Sequence, residues 1–227
     1  MVRAKVCAIR LEQEQQDDRN EVVSELEHYL ALAKTYTRPA DPLLLITRGV
    51  SGSGKTSLSQ QLLEILPAIR IRSDVERKRL YGMSALESGR APPAEGIYSA
   101  EATHQTYDRL RQLAGEVLKA GFTVIVDATF LQRGQRAPFE RLAREKGVGY
   151  AILEFSASEG ALRNRVLQRR GDASDADLAV LEHQLEGYAP LLADEEGYCL
   201  KIDTETPFDP AAVRRRIKGS TARAPGS

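Results

Sequence analysis

Leu43-Leu44-Leu45-Ile46-Thr47-Arg48-Gly49-Val50-Ser51-Gly52-Ser53-Gly54-Lys55-Thr56-Ser57-Leu58 is the stretch that decides the fold. Four apolar residues in succession, Leu43 to Ile46, suit a strand buried on both faces, as in a parallel sheet. Residues 49–56 fit G-x-x-x-x-G-K-[ST], a phosphate-binding loop when a strand precedes it and a helix follows. The next residues, 57–64, are compatible with that helix. The competing reading is a glycine-rich turn that matches by accident. With Gly at about 7% of residues, chance matches number on the order of 0.01 per chain of this length.

Each residue type has a physical task in such a loop. Gly49, Gly52 and Gly54 open backbone angles closed to other residues and let the chain approach a ligand. The amides of Ser51, Gly52, Ser53, Gly54, Lys55 and Thr56 form a nest for anionic oxygens at the positive end of the following helix, with Ser57 in its first turn. Lys55 supplies a mobile charge for the β- and γ-phosphates of ATP, and the Thr56 hydroxyl is placed to hold Mg²⁺.

The 227 residues carry 32 Lys and Arg against 32 Asp and Glu. That balance excludes a bulk basic nucleic-acid binder and leaves only a local basic groove. Two cysteines, Cys7 and Cys199, are too few for a disulfide framework and fit a reducing cytosol. No apolar run approaches the roughly 18 residues of a membrane span. Near the N-terminus, acids and glutamines stand where a signal peptide would be apolar. A soluble, cytoplasmic protein with no membrane partner is expected.

Beyond the loop, strands are expected at 69–72, 122–127, 150–155 and 198–203. Helices are expected at 75–80, 97–120, 134–146, 159–170 and 209–217. Between them, 84–96 is a loop long enough to be functional. Ser174 and Asp177 have the spacing of a capping box for a helix to about Glu186. Residues 1–40 read as a helical leader with a linker, 41–217 as the main domain and 218–227 as a disordered tail. The alternation predicts an α/β fold, a parallel sheet with helices on both faces. Ligands bind beyond the carboxyl ends of such strands, which brings the loop, Asp74, Asp127 and Asp203 to one rim.

A phosphoryl acceptor must be aligned with the γ-phosphate. Asp74, at a strand end, can orient an attacking hydroxyl, and Arg77, one helical turn on, can clamp an anionic group. The same spacing fits Asp74 as a helix N-cap and Arg77 as a solvated charge. Asp127 ends an apolar strand, where a carboxylate meets the Mg²⁺ water shell, or serves as a turn residue; Thr129 is placed to assist it. Arg163, Arg165, Arg169 and Arg170 crowd one helix, with Arg165 and Arg169 on one face. They suit either a closing segment that stabilises transferred charge or an ordinary solvated face. His28, His104 and His183 lack ligand-like spacing with one another or with either Cys, which argues against zinc.

Residues 49–56, 72–78, 124–129 and the segment from Arg165 to Ala176 resemble the bacterial P-loop kinase-like ATP-binding domains of the AAA family, often fused behind an aminoglycoside-phosphotransferase-like domain. More distantly they are similar to polynucleotide 5′-kinase, zeta toxin, chloramphenicol phosphotransferase and gluconate kinase. The resemblance covers residues 43–217 and implies a P-loop NTPase fold with a kinase-type five-stranded parallel sheet of order 2-3-1-4-5. It also implies Asp74 as the hydroxyl-activating carboxylate, Arg77 as the substrate-side arginine, and Arg165 and Arg169 as lid arginines. Residues 1–37, with Val2-Arg3-Ala4-Lys5-Val6, look like the last helices of the phosphotransferase-like domain, a possible fused or separate partner. The expected function is ATP- and Mg²⁺-dependent transfer to a hydroxyl of a small molecule, or of a nucleic acid only as a substrate end. The alternative is a nucleotide-binding regulatory or interaction module with weak ATPase activity.

Overall fold

Strand β1 (Leu43–Arg48) lies at the centre of a five-stranded sheet ordered β2-β3-β1-β4-β5. Its companions are β2 (Ala68–Arg72), β3 (Thr123–Asp127), β4 (Gly149–Ser156) and β5 (Cys199–Asp203), and every pairing is parallel. This is the kinase-type P-loop order that the resemblance implied. The structure, a computed structural model, describes residues 2–13, 19–37, 41–85, 87, 96–168 and 177–220.

Alternation along the strands builds two cores. Leu44, Ile46, Val124, Val126 and Ile152 pack on one face with α5 (Ala100–Lys119) and α6 (Arg133–Lys146). Leu45, Ile125, Ala151, Leu153 and Phe155 pack on the other with α3 (Lys55–Leu63) and α10 (Pro210–Ser220). Leu44, Leu45 and Ile46 are fully buried, so the apolar run in β1 serves both faces. A third cluster joins Val50 and Leu131 to Leu162 and Val166 of α7 (Glu159–Gln168) and Leu181 of α8 (Leu178–Glu186).

The chain divides into two compact units, 1–40 and 41–227. In the first, α1 (Val2–Gln13) pairs with α2 (Arg19–Thr37), and Arg10 Nη1 stands 3.6 Å from Glu25 Oε2. Among the described residues no helix is long and apolar enough to cross a membrane.

Local chemistry moves several boundaries. α4 (Ser73–Leu80) begins directly after β2, so Asp74 is its second residue and not its cap. The helix expected from residue 97 starts later, because a 3-10 turn over Gly96–Tyr98 precedes Ser99, whose Oγ accepts the Ala102 N–H at 3.2 Å and caps α5. Asp177, and not Ser174, caps α8 by accepting the Val180 N–H at 3.0 Å; Ser174 lies outside the described residues. The short α9 (Ala193–Glu196) was not anticipated, and α10 runs to Ser220, into the stretch expected to be tail. Residues 221–227, most of the 84–96 loop and the 172–175 segment lie outside the described residues.

Candidate active site

The carboxyl ends of β1 and β3 are tied together before any ligand is considered. The buried Thr47 hydroxyl donates to Ala128 O at 2.8 Å and accepts the Ala128 N–H at 3.1 Å. Gly49 N donates to Thr129 O at 3.1 Å. With Ile46 opposite Val126, these bonds place Asp127 beside the start of the phosphate loop. The next turn is strained: Phe130 is fully buried with φ 47, the left-handed region. It is held there by the Tyr107 hydroxyl, which accepts the Phe130 N–H at 3.1 Å, and by Arg136, which donates to Phe130 O at 3.0 Å.

The loop itself is shaped by its own chain as much as for a ligand. A Cβ on Gly52 (φ 80) would lie 2.7 Å from Leu162 O and 3.1 Å from Val166 Cγ2, so α7 presses directly on the loop. Lys55 Nζ donates to Val50 O at 2.8 Å, and α3 begins at Lys55, with Thr56 and Ser57 in its first turn. Its leading main-chain N–H groups carry the partial positive charge that favours phosphate. Ser51 and Ser53 are buried, and Ser53 Oγ has no hydrogen-bond partner among the described residues. Arg70, which the sequence reading did not single out, reaches from β2 to Thr56 O at 2.7 Å and Ser59 Oγ at 3.0 Å.

Asp74 and Asp127 face a common cation. Arg72 is the register partner of Asp127, and its guanidinium stands 3.6 Å from Asp74 Oδ2 and 4.0 Å from Asp127 Oδ2. Asp74 therefore lies on the rim that carries the phosphate loop, half-buried, with the sheet register connecting the two. Arg77 is no solvated charge: it is 9% exposed, donates to Ile97 O at 2.7 Å and Thr103 Oγ1 at 3.3 Å, and lies over the Tyr98 ring. Burial lowers its pKa, while Tyr107 and Asp74 act in the opposite direction. It pins the turn that ends the 84–96 loop onto α4.

The arginines of α7 separate. Arg165 Nη1 donates to Thr204 Oγ1 at 2.7 Å and to Gly52 O at 3.3 Å, and Nη2 to Thr204 O at 2.9 Å. Arg163 pairs with Glu159 and Glu182 at the surface, as the solvated-face reading has it. Arg169 and Arg170 lie outside the described residues. His104 is an exposed partner of Asp108.

Two ion pairs of buried arginines were missed. Arg48, 1% exposed, meets its register partner Glu154 and the Tyr188 hydroxyl, which in turn donates to Glu154 at 2.7 Å. Arg136 forks onto Glu195 at 2.6 and 2.8 Å. Both fasten chain segments that frame the rim.

Asp127 is 4% exposed, and its Oδ2 accepts no hydrogen bond among the described residues. A buried carboxylate oxygen with capacity left, together with the Thr56 hydroxyl, is an oxygen-only donor set that fits Mg²⁺. Among the described residues no group of three or more His, Cys, Asp or Glu side chains could hold a metal ion. The described residues thus offer Mg²⁺ few ligands, the usual case where phosphates and water supply the rest.

The AAA domain family matches residues 44–191. Proteins of Mycobacterium tuberculosis and Mycobacterium bovis, both described as uncharacterized, are 29% identical over 221 residues, or 96% of this chain and 41% of theirs. The chain spans about two fifths of the length of these relatives. A sugar kinase from Janibacter sp. HTCC2649 superposes with a TM-score of 0.58 at 19% identity, covering 81% of this chain and 96% of that one. For a gluconokinase from Sinorhizobium meliloti 1021 the TM-score is 0.53 at 23% identity, covering 81% and 94%. Chaetomium thermophilum Kti12, in complex with ADP-AlF3, gives 0.58 at 19%, covering 79% and 99%. At these identities the likeness to solved structures is one of fold.

Proposed function

The chain belongs to the AAA domain family and has a kinase-like P-loop fold; from that premise we propose that it is an ATP- and Mg²⁺-dependent phosphotransferase with an alcohol acceptor. The observation that carries this reading is the placement of Asp74 and Asp127 on either side of Arg72, on the rim that bears the phosphate loop. A second carboxylate on that rim is available to orient an acceptor hydroxyl. The acceptor is a hydroxyl of a small molecule or of a nucleic-acid end.

In the proposed reaction the acceptor oxygen attacks the γ-phosphorus, the bond to the β,γ-bridging oxygen breaks, and ADP leaves. Asp74 orients the hydroxyl and takes its proton. Lys55 leaves Val50 O for the phosphate oxygens, which the amides of Gly52, Gly54, Lys55 and Thr56 and the helix terminus also hold; the Ser51 and Ser53 N–H groups already donate to Gln184 Oε1 and Val50 O. The Thr56 hydroxyl and the Asp127 carboxylate would hold Mg²⁺, which would supply charge neutralisation at the phosphates. Arg165 joins the phosphate loop to Thr204 at the end of β5, which supports the segment around Thr204 as the base-side wall. Arg169 stays the candidate for closing over the γ-phosphate, and Arg77 acts from the acceptor side by fixing the Gly96–Tyr98 turn.

The test is to incubate the protein with γ-labelled ATP, Mg²⁺ and a mixed metabolite and oligonucleotide extract, then identify what acquires label. Label on one alcohol, absent with Lys55→Ala, is expected. Hydrolysis without any labelled acceptor refutes transfer.

A second reading, a nucleotide-responsive interaction module with slow turnover, draws support from the greater length of the mycobacterial relatives. It takes the helical unit 1–40 as belonging to, or packing against, a phosphotransferase-like domain. ATP-dependent capture of such a domain with no phosphorylated product favours this reading.

A further inference from the structure

Helix α8 makes a polar contact with the phosphate loop that neither the motif nor the proposed reaction uses. Gln184 Oε1 accepts the Ser51 main-chain N–H at 2.7 Å. The helix that presents it is held at both ends and beneath. Leu181 is fully buried against Val50, Leu131, Leu162 and Val166, Asp177 caps the first turn, and Gln132 Nε2 donates to Gly187 O at 2.5 Å beyond the last. Gln184 is half-buried, and its carboxamide is placed by a fixed scaffold.

A carboxamide has one accepting and one donating end. With Oε1 bound to an N–H, the bonding itself decides which end is which. The end left over is an NH₂ group, and among the described residues nothing accepts from it. Oε1 and Nε2 share one carbon, so this donor pair stays close to the third residue of the loop that encloses a polyphosphate. Neutral donors fixed at that position suit an oxyanion.

Resting on the phosphotransferase reading, we propose that Gln184 contacts the terminal phosphate of bound ATP through Nε2, so that α8 distinguishes a nucleoside triphosphate from the diphosphate. The rival role is a brace that only holds Ser51. Glu at position 184 separates the two, because its carboxylate still accepts the Ser51 N–H while the donor pair is lost and a negative charge faces the phosphate. Met at the same position removes both contacts at similar volume.

The experiment is calorimetric titration of wild type, Gln184→Glu and Gln184→Met with Mg-ATP and Mg-ADP, after thermal melts establish that the variants fold. Gln184→Glu is expected to weaken ATP about 10-fold or more, with ADP changed less than about 2-fold, since only the triphosphate meets the lost donors and the added charge. Gln184→Met is expected to weaken ATP several-fold and ADP little. Equal losses for both nucleotides, or none, overturn the inference while wild-type binding leaves the phosphate-loop reading standing. A wild-type protein that binds neither nucleotide overturns both.

Discussion

Arg165 grips Thr204 at two points, its hydroxyl at 2.7 Å and its main-chain carbonyl at 2.9 Å, while its Nη1 also reaches Gly52 O at 3.3 Å. One planar fork therefore joins the phosphate loop to the segment after β5, a geometry that Lys cannot reproduce. Such a brace acts on all nucleotides alike. Arg165→Met is predicted to weaken ADP and ATP by the same factor, about 10-fold, from the loss of charged hydrogen bonds worth roughly 1.5–3 kcal/mol each. Titration of both nucleotides checks this. Unchanged affinity with a loss confined to turnover would instead place Arg165 on the transferred phosphoryl.

Asp74 and Asp127 sit on either side of Arg72, yet they are expected to fail differently when neutralised. Asp74→Asn keeps the shape and the phosphate loop, so ATP affinity should stay within about 2-fold while transfer falls by about 100-fold or more, the scale of a lost general base. Asp127→Asn acts on the metal side and should raise the Mg²⁺ concentration needed for nucleotide binding. Single-turnover rates, with Kd measured on the same preparations, decide between these patterns. Retained transfer in Asp74→Asn removes Asp74 from its assigned role.

What could be read from the residues was what local pattern encodes. The run Leu43–Ile46, the octet behind it and the apolar strands ending at Asp127 and Asp203 each carry their signal within a few positions, and they led to the right sheet. The strand order came from resemblance, since periodicity carries no information about which strands are neighbours. Arg48 and Arg136 escaped notice because an isolated arginine in a sequence reads as surface, and their partners Glu154 and Glu195 are far along the chain. Ser99 and Asp177 were overlooked as caps because apolar spacing continued across the first and a more distant Ser174 offered a better motif match. Spacing alone left Arg77 open between an anion clamp and a solvated charge. Its burial depends on Ile97, Tyr98 and Thr103, which only the tertiary fold brings to α4.

The glycines of the loop differ in what excludes a side chain. At Gly52 a Cβ would meet the Leu162 carbonyl at 2.7 Å, and main chain of a packed helix cannot step aside cheaply. At Gly54 the nearest atom, Thr204 Cβ, is at 3.5 Å, an ordinary contact, so only the positive φ of 84 opposes substitution. Gly52→Ala is predicted to destabilise the fold by about 2–3 kcal/mol, combining backbone strain with overpacking. Gly54→Ala should cost about 1 kcal/mol, from backbone strain alone. Urea midpoints without nucleotide test the order; equal costs would mean that α7 yields to the loop.

Arg136 and Glu195 are 1% and 3% exposed and share two hydrogen bonds, and the Leu192 N–H adds a third to the carboxylate at 3.1 Å. Burial alone would raise the Glu195 pKa. The Arg136 and Leu192 hydrogen bonds and the charges of Arg136 and Arg133 outweigh it and hold the carboxyl below its usual range. The unfolded chain then takes up the proton first as pH falls. The pair's contribution is therefore complete above the unfolded value of about 4.3 and is lost as pH drops through the lower folded value. Glu195→Gln leaves Arg136 buried without its counter-charge and should lower stability at pH 7 by about 3 kcal/mol. It should also flatten the acid limb of the stability profile, because the titrating group is gone. Urea midpoints of wild type and variant from pH 7 down to pH 3 are expected to converge as the wild type loses the pair. Parallel profiles would show that the acid sensitivity lies elsewhere and that this buried fork does not set it.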